Sequence, residues 1–291
     1  MKVLEVIQKS TEFLARKGVE SPRLQAELLL AHVLKLPRMQ LYLNFERTLA
    51  PTEADCVREL VKRRGQREPL QHLVGSASFC GLELAVNRHV LVPRPETELL
   101  AELGWQFLSQ LSKGNPRPVT AFDFGTGSGC LAITLAVKCP AAQCLATDIS
   151  HEALETAKQN AARHKLAQRI RFVLGNGFGA LPGGEQFDLI ISNPPYIPTA
   201  EIASLQPEVR DFDPRQALDG GLDGLDFFRR LAAEAPTFLK PGGRLMLEFG
   251  DGQAERVREI LEQQKWIVEA LKEDYNQRPR IVVALRGGAA R

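Results

Sequence analysis

The chain has 291 residues, 44% of them apolar and 25% charged, and its 37 Lys and Arg against 35 Asp and Glu leave a formal net charge of +2. Those values are ordinary for a folded globular protein and exclude disorder, collagen-like sequence and a disulfide scaffold, while a balance so near neutral does not announce nucleic acid as the partner. No run approaches the ~18 consecutive apolar residues of a membrane span, since 28–33 and 131–137 stop far short. The N-terminus shows no signal-peptide pattern, and Glu5 and Glu12 also spoil a transit-peptide reading. Cys56, Cys80, Cys130, Cys139 and Cys144 form no C-x-x-C, which fits reduced thiols and a cytoplasmic location.

Residues 1–75 read as a small helical bundle. Val3, Ile7 and Leu14 fall at helical spacing, as do Leu24, Leu28 and Ala31 with Leu29 and Val33, and then Cys56, Leu60 and Val61. Ser21-Pro22 reads as an N-cap followed by proline at the first helical position, where its missing N–H costs nothing. This part holds 13 Lys and Arg against nine Asp and Glu, with the excess gathered at Lys62, Arg63, Arg64 and Arg67. Such a run is either a solvated helix end or a contact for an acidic or RNA-rich partner. Residues 76–93 turn to short apolar and β-branched stretches around Gly81 and Asn87-Arg88, a hairpin or extended linker. Pro93-Arg94-Pro95 then stiffens the chain before a helix over 96–107.

From residue 118 strands and helices alternate. Strands are expected at 119–124, 144–147, 170–174, 187–192, 244–249, 266–271 and 281–285, and helices at 130–137, 152–162, 225–238 and 253–263. The pattern predicts an α/β domain over 94–291 with a mostly parallel sheet covered on both faces. Only the tail after Arg286 looks dispensable.

Gly125-Thr126-Gly127-Ser128-Gly129 lies between an expected strand and helix. Glycines there permit positive φ and close backbone approach to a ligand, and the helix N-terminus offers free N–H groups. Asp148 ends the next strand, where a carboxylate can accept from ribose hydroxyls. The loop lacks the last position of a dinucleotide fingerprint, which Cys130 occupies, so S-adenosylmethionine fits better: it has an adenosine but no phosphate to cradle. Asn176-Gly177, past the third strand, is either an adenine-reading position or a turn.

The most specific feature is Asn193-Pro194-Pro195-Tyr196 after the strand 187–192. Two prolines fix φ and withhold backbone donors, leaving a rigid set of acceptors, the Asn193 side-chain oxygen and the Pro194 carbonyl. A planar –NH2 group can donate one hydrogen to each, and Tyr196 offers a face for stacking. An amide or exocyclic amine nitrogen is a poor nucleophile, so fixing and polarising it is the catalysis required, with no metal. His32, His72, His89, His151 and His164 show no ligand spacing.

With this tetrapeptide downstream of the glycine loop, the chain resembles the class I S-adenosylmethionine-dependent methyltransferases of the Asn-Pro-Pro-Tyr group, and more closely the HemK/PrmC family of release factor glutamine methyltransferases. The resemblance runs through Ser21-Pro22-Arg23, Glu68-Pro69-Leu70, the segment 92–98, Gly125–Gly129, Asp148, the segment 192–198 and the segment 217–225. It implies a Rossmann-like seven-stranded domain behind a substrate-docking helical domain (1–75) and a hairpin linker (76–93). It implies that Gly125–Gly129, Asp148 and Asn193 contact S-adenosylmethionine, which leaves as S-adenosylhomocysteine. It further implies that Asn193–Tyr196 hold the glutamine of the Gly-Gly-Gln motif of class I release factors, that residues 93–98 border the same pocket, and that Arg94 neutralises Glu96, Glu98 or a ligand carboxylate.

Arg67 stands where the family usually has glycine, Asp213 where it has glutamate and Asn176 where aspartate is frequent, while its C-terminal Asp…Arg pair survives loosely as Asp274 and Arg280. The alternatives are glutamine methylation of a ribosomal protein, or methylation of an exocyclic amine in nucleic acid by base flipping. Against the latter, residues 76–291 carry 24 Lys and Arg against 26 Asp and Glu and show no nucleic-acid module. The expected protein is a monomer with no direct nucleic-acid specificity and no membrane attachment.

Overall fold

The computed structural model describes residues 1–114, 117–181 and 183–287, so the tail beyond 287 lies outside the described residues. The chain forms two compact units, residues 1–76 with 206–212, and residues 77–205 with 213–291. No helix among the described residues is long and apolar enough to cross a membrane.

The first unit comprises α1 (Val3–Arg16), α2 (Pro22–Leu34), α3 (Arg38–Leu43), α4 (Pro51–Gly65) and α5 (Leu70–Val74), joined by the one-turn α9 (Pro207–Arg210) that returns from later in the chain. Val3, Ile7 and Leu14 are buried, as their spacing requires. In α2 Leu29 and Ala31 are buried as read, but Leu24 is exposed and Leu28 and Val33 are half-buried, while Ala26, Leu30 and Leu34 also face inward. The helix is apolar on several sides, so its contacts with α1, α3, α4 and α5 decide the orientation. Ser21 sits left-handed at φ 48°, outside the extended backbone of a capping serine, and makes no side-chain cap hydrogen bond; Pro22 does open the helix. Val57 rather than Cys56 points inward on α4.

The basic run at 62–67 is largely neutralised inside this unit. Arg63 donates to both oxygens of Glu68 at 2.8 and 2.6 Å. Arg64 is buried and donates to Glu208 at 2.7 Å and to the Glu68 carbonyl at 3.1 Å. Arg67 grips both oxygens of Glu208, each at 2.6 Å, and donates to the Gly18 carbonyl. Burial alone would raise the Glu208 carboxyl, but the hydrogen bonds from Arg67 and then Arg64 hold it below its usual range. Arg67 has φ 72°, the left-handed region that favours glycine, and its guanidinium contacts offset that strain.

The second unit opens with a hairpin, β1 (Ser76–Phe79) and β2 (Leu82–Ala85), followed by α6 (Pro95–Ser112). A seven-stranded sheet then follows: β3 (Val119–Phe124), β4 (Ala142–Asp148), β5 (Ile170–Leu174), β6 (Phe187–Ser192), β7 (Leu239–Glu248), β8 (Trp266–Glu273) and β9 (Pro279–Arg286), in the order β5-β4-β3-β6-β7-β9-β8. β9 is antiparallel to both neighbours and the other pairs are parallel. The helices between them are α7 (Cys130–Lys138), α8 (His151–Arg163), α10 (Asp226–Phe238) and α11 (Ala254–Gln263). Alternate residues feed two apolar layers, Leu189 and Ile191 on one face of β6 and Ile190 on the other, as a sheet covered on both sides requires. β7 starts earlier than the apolar run at 244, because its register against β6 shifts at the glycines 242–243 and the strand continues through them.

The strand order reverses between β3 and β6, the switch point where α/β sheets bind ligands beyond their C-terminal strand ends. Buried Asn160 on α8 braces that end. It accepts from Ala85 N–H at 2.7 Å and donates to the carbonyls of Ala85 and Ser128, tying the hairpin to the glycine loop.

Candidate active site

A cavity of about 610 Å³ opens at this switch point. Gly125 (φ 72°) and Gly127 (φ 55°) line it, and a Cβ on either would meet no other atom within 4 Å, so both present bare backbone to the cavity. Gly129 differs: its Cβ would lie 2.9 Å from Ile133 Cδ1 and 3.2 Å from Ala157 Cβ, so this glycine lets α7 close on α8. The loop is pinned from beneath by Asp123, which accepts from the Thr126 hydroxyl at 2.6 Å and from Ala132 N–H at 3.1 Å. Asp123 is buried with its second oxygen unpartnered, and burial pushes its carboxyl up to about 7.

Asp148 lines the cavity, as do Thr126 and Ser128. Its oxygens accept from Gly127 N–H and Ser150 N–H, each at 2.9 Å, which fixes the carboxylate against the loop; burial raises its pKa. Ile149 beside it is 55% exposed, an apolar wall within the cavity. Asn176 and Gly177 also line it. Gly177 (φ 57°) is demanded by Phe124, whose ring would sit 2.0 Å from a Cβ. The Asn176 side-chain oxygen accepts from Arg230, which also donates to the Asn176 carbonyl at 2.8 Å and stacks 5.3 Å over the Phe124 ring. Arg230 faces the cavity as well, a residue that carries no motif in the sequence.

At the opposite wall, Ser192 donates to the Phe124 carbonyl at 2.7 Å and so ties the end of β6 to the end of β3. Asn193 and Pro195 line the cavity, whereas Pro194 is buried and the Tyr196 ring packs against the apolar layer of Phe228, Leu247 and their neighbours. Tyr196 therefore does not present a stacking face to the cavity here. Its phenol donates to Glu248 at 3.5 Å, and burial pushes that hydroxyl's pKa well up. Asn193 Nδ2 donates to Thr97 Oγ1 at 3.0 Å, and Thr97 donates to the other oxygen of Glu248 at 2.7 Å. The segment 217–224 lies against the tetrapeptide through Ile197 N–H to the Leu218 carbonyl and Gly220 N–H to the Ile197 carbonyl. A Cβ at Gly224 would sit 2.3 Å from the Tyr196 carbonyl oxygen, so close packing explains a glycine there.

The segment 93–98 contributes Pro93, Arg94 and Thr97 to the cavity. Arg94 pairs with Asp213 at 2.5 Å rather than with Glu96 or Glu98, while Glu98 accepts from Cys80 N–H. The physical reason is burial: Asp213 has 1% of its side chain exposed and requires a cation. Thr97 and Glu248 escaped the sequence reading as partners of Asn193. The available signal was an acid inside the apolar run Leu245-Met246-Leu247-Glu248-Phe249.

Residues 5–75 match the family model described as the PrmC N-terminal domain, and residues 104–205 match the methyltransferase small domain. The chain is 46% identical to the release factor glutamine methyltransferase of Geobacter sulfurreducens over 88% of this chain and 86% of that protein. It is 43% identical to the protein of the same name from Chlorobaculum tepidum, over 96% of this chain and 95% of the relative. Among solved structures, a methyltransferase from Pyrococcus furiosus superposes with TM-score 0.51 at 22% identity, covering 72% of this chain and 91% of that one, a likeness of fold.

Proposed function

The chain belongs to the release factor glutamine methyltransferase family and is an enzyme that methylates the glutamine of release factors, and we propose that it does so on the side-chain nitrogen of the Gly-Gly-Gln motif, with S-adenosylmethionine as donor. That donor supplies an activated methyl on a sulfonium. The residues present fit it: side-chain-free backbone at Gly125 and Gly127, a fixed carboxylate at Asp148 for ribose hydroxyls, and the apolar Ile149 for a base. Asn176, Gly177, Thr126 and Ser128 complete that side of the cavity.

The observation that carries the reading is the Asn193 carboxamide, held by Thr97 through its nitrogen so that Oδ1 is left as an acceptor on the cavity wall. Asn193 Oδ1 and the Pro194 carbonyl take the two hydrogens of the glutamine –NH2 group. Pro195 and Tyr196 keep that pair of acceptors rigid, Tyr196 from beneath. Holding both N–H bonds fixes the direction of the nitrogen lone pair and stabilises the positive charge that grows as the methyl arrives, catalysis by position and electrostatics. The amide proton then passes to a neighbouring acceptor or to water.

The enzyme works as a cytoplasmic monomer, with the helical unit as the docking module. Neither ribosomal-protein methylation nor nucleic-acid methylation is favoured by the relatives' names. Purified protein with labelled donor should label a recombinant class I release factor, and Gln→Ala in its Gly-Gly-Gln motif should abolish the label. Labelling of RNA or DNA but not of the release factor would overturn the reading.

A further inference from the structure

Glu248 closes β7 with 2% of its surface exposed, a buried carboxylate directly below the tetrapeptide. Each of its oxygens receives one hydroxyl, Thr97 at 2.7 Å on Oε2 and Tyr196 at 3.5 Å on Oε1. A threonine hydroxyl has a single proton. Once that proton is committed to the carboxylate, Thr97 can only accept from Asn193, and the 3.0 Å contact must be to the amide nitrogen. A threonine without the acid beneath it could bond either face of the carboxamide.

We propose that Thr97 and Glu248 are positioning residues for methyl transfer: the buried carboxylate orients the Thr97 proton, and Thr97 thereby selects the orientation of Asn193 that offers substrate an acceptor. The inference rests on the glutamine reading, since only an incoming –NH2 group needs an acceptor there. In the flipped orientation two –NH2 groups would face each other, with one hydrogen bond lost and a donor left unmet.

The groups facing Glu248 are Thr97 and Glu96 of α6, Tyr196 after β6, Cys130 of α7 and Arg280 of β9, whose guanidinium is shared with Asp274. Burial is the largest influence and lifts the Glu248 carboxyl to about 7; Thr97 opposes it, Glu96 adds to it, and Arg280 and Tyr196 oppose it. On taking a proton, Glu248 can donate to Thr97, which then turns its own proton toward Asn193 Oδ1. The orientation of Asn193 therefore follows the charge on Glu248.

The test uses the full-length protein, labelled S-adenosylmethionine and an intact release factor. Thr97→Val should lower kcat about 10- to 100-fold, the scale of one such hydrogen bond, with calorimetric affinity for S-adenosylhomocysteine within about twofold of wild type. Thr97→Ser should recover to within about threefold. Independently of turnover, the Asn193 side-chain amide in protein 15N-labelled at asparagine, identified by its loss in Asn193→Asp, should titrate with a midpoint near 7. That titration should vanish in Thr97→Val and Glu248→Gln. Wild-type kcat in Thr97→Val, a serine variant as impaired as the valine one, or an amide signal indifferent to pH or to these substitutions would each overturn the proposal. Should the wild type fail to label any release factor, the substrate reading falls, and the amide titration still decides the Thr97–Glu248 coupling.

Discussion

The two walls of the cavity reach rigidity by opposite means. At Gly125 and Gly127 side chains are absent and the backbone takes positive φ, so that bare main chain faces the cavity. At Asn193–Tyr196 the backbone is stiffened by two prolines, one N–H after another is withheld, and acceptors remain. Both walls hang from the same strand end: Phe124 carries the Ser192 hydrogen bond on its carbonyl and forbids a side chain at Gly177 with its ring. Both also rest on a buried acid raised to about 7, Asp123 beneath the loop and Glu248 beneath the tetrapeptide. The difference teaches which wall serves which partner, since main chain without side chains suits a large ligand lying close, and fixed acceptors suit a nitrogen with two hydrogens.

The contrast breaks most visibly at Asn193. Asn193→Ala should cut kcat ~10²–10³-fold, the scale of a lost transition-state hydrogen bond, while S-adenosylhomocysteine affinity by calorimetry falls less than about tenfold. Near-normal turnover would remove its assigned role. Gly127→Ala should show the reverse pattern. A left-handed alanine costs ~1–2 kcal/mol and its Cβ enters the cavity, so S-adenosylhomocysteine affinity should drop about 10- to 100-fold, with the melting temperature lowered by only a few degrees. Gly129→Ala, whose Cβ also meets Ile133 and Ala157, should lower the melting temperature further.

The last effect is read in stability and concerns the acid under the loop. A carboxyl raised from 3.8 to about 7 keeps its proton in the folded state over a range where the unfolded chain has released it. Stability from this group is therefore present at pH 4 and lost as pH rises toward 7. At ~1.4 kcal/mol per pKa unit, the two units between pH 5 and about 7 come to roughly 2–3 kcal/mol, so Asp123→Asn should flatten the fall in unfolding free energy, read from urea titrations between pH 5 and pH 8, by about that amount, with a remaining slope of the same sign from Glu248. An unchanged slope would relieve Asp123 of this part.

Both cavity walls were legible because each is a local string: a glycine loop between an apolar run and a helix, and prolines closing another apolar run. The strands Val119–Phe124, Ile170–Leu174 and Phe187–Ser192 have the bounds read from their apolar content. What joins the walls was not legible. Thr97 meets Asn193 across 96 residues and Glu248 across 151, and neither side chain is unusual in its own neighbourhood. Arg230 reaches Asn176 across 54 residues for the same reason. The stripe of α2 was legible only in part, at Leu29 and Ala31, because Leu28-Leu29-Leu30 offers more than one apolar face and only its neighbours choose between them. The basic run looked open because its acid, Glu208, lies some 140 residues away.

That last distance bears on the order in which the molecule can be completed during synthesis. Arg64, already buried among helices made early, has to wait for its carboxylate until residues 77–205 have left the ribosome. Until then the nascent helical unit holds a guanidinium that is only partly answered, by Gln25 and the Glu68 carbonyl. A buried charge short of its partner is destabilising, so the N-terminal unit cannot reach its full strength first and independently, as N-terminal units commonly do. Its last stitch is set by a segment that the emerging sheet must deliver.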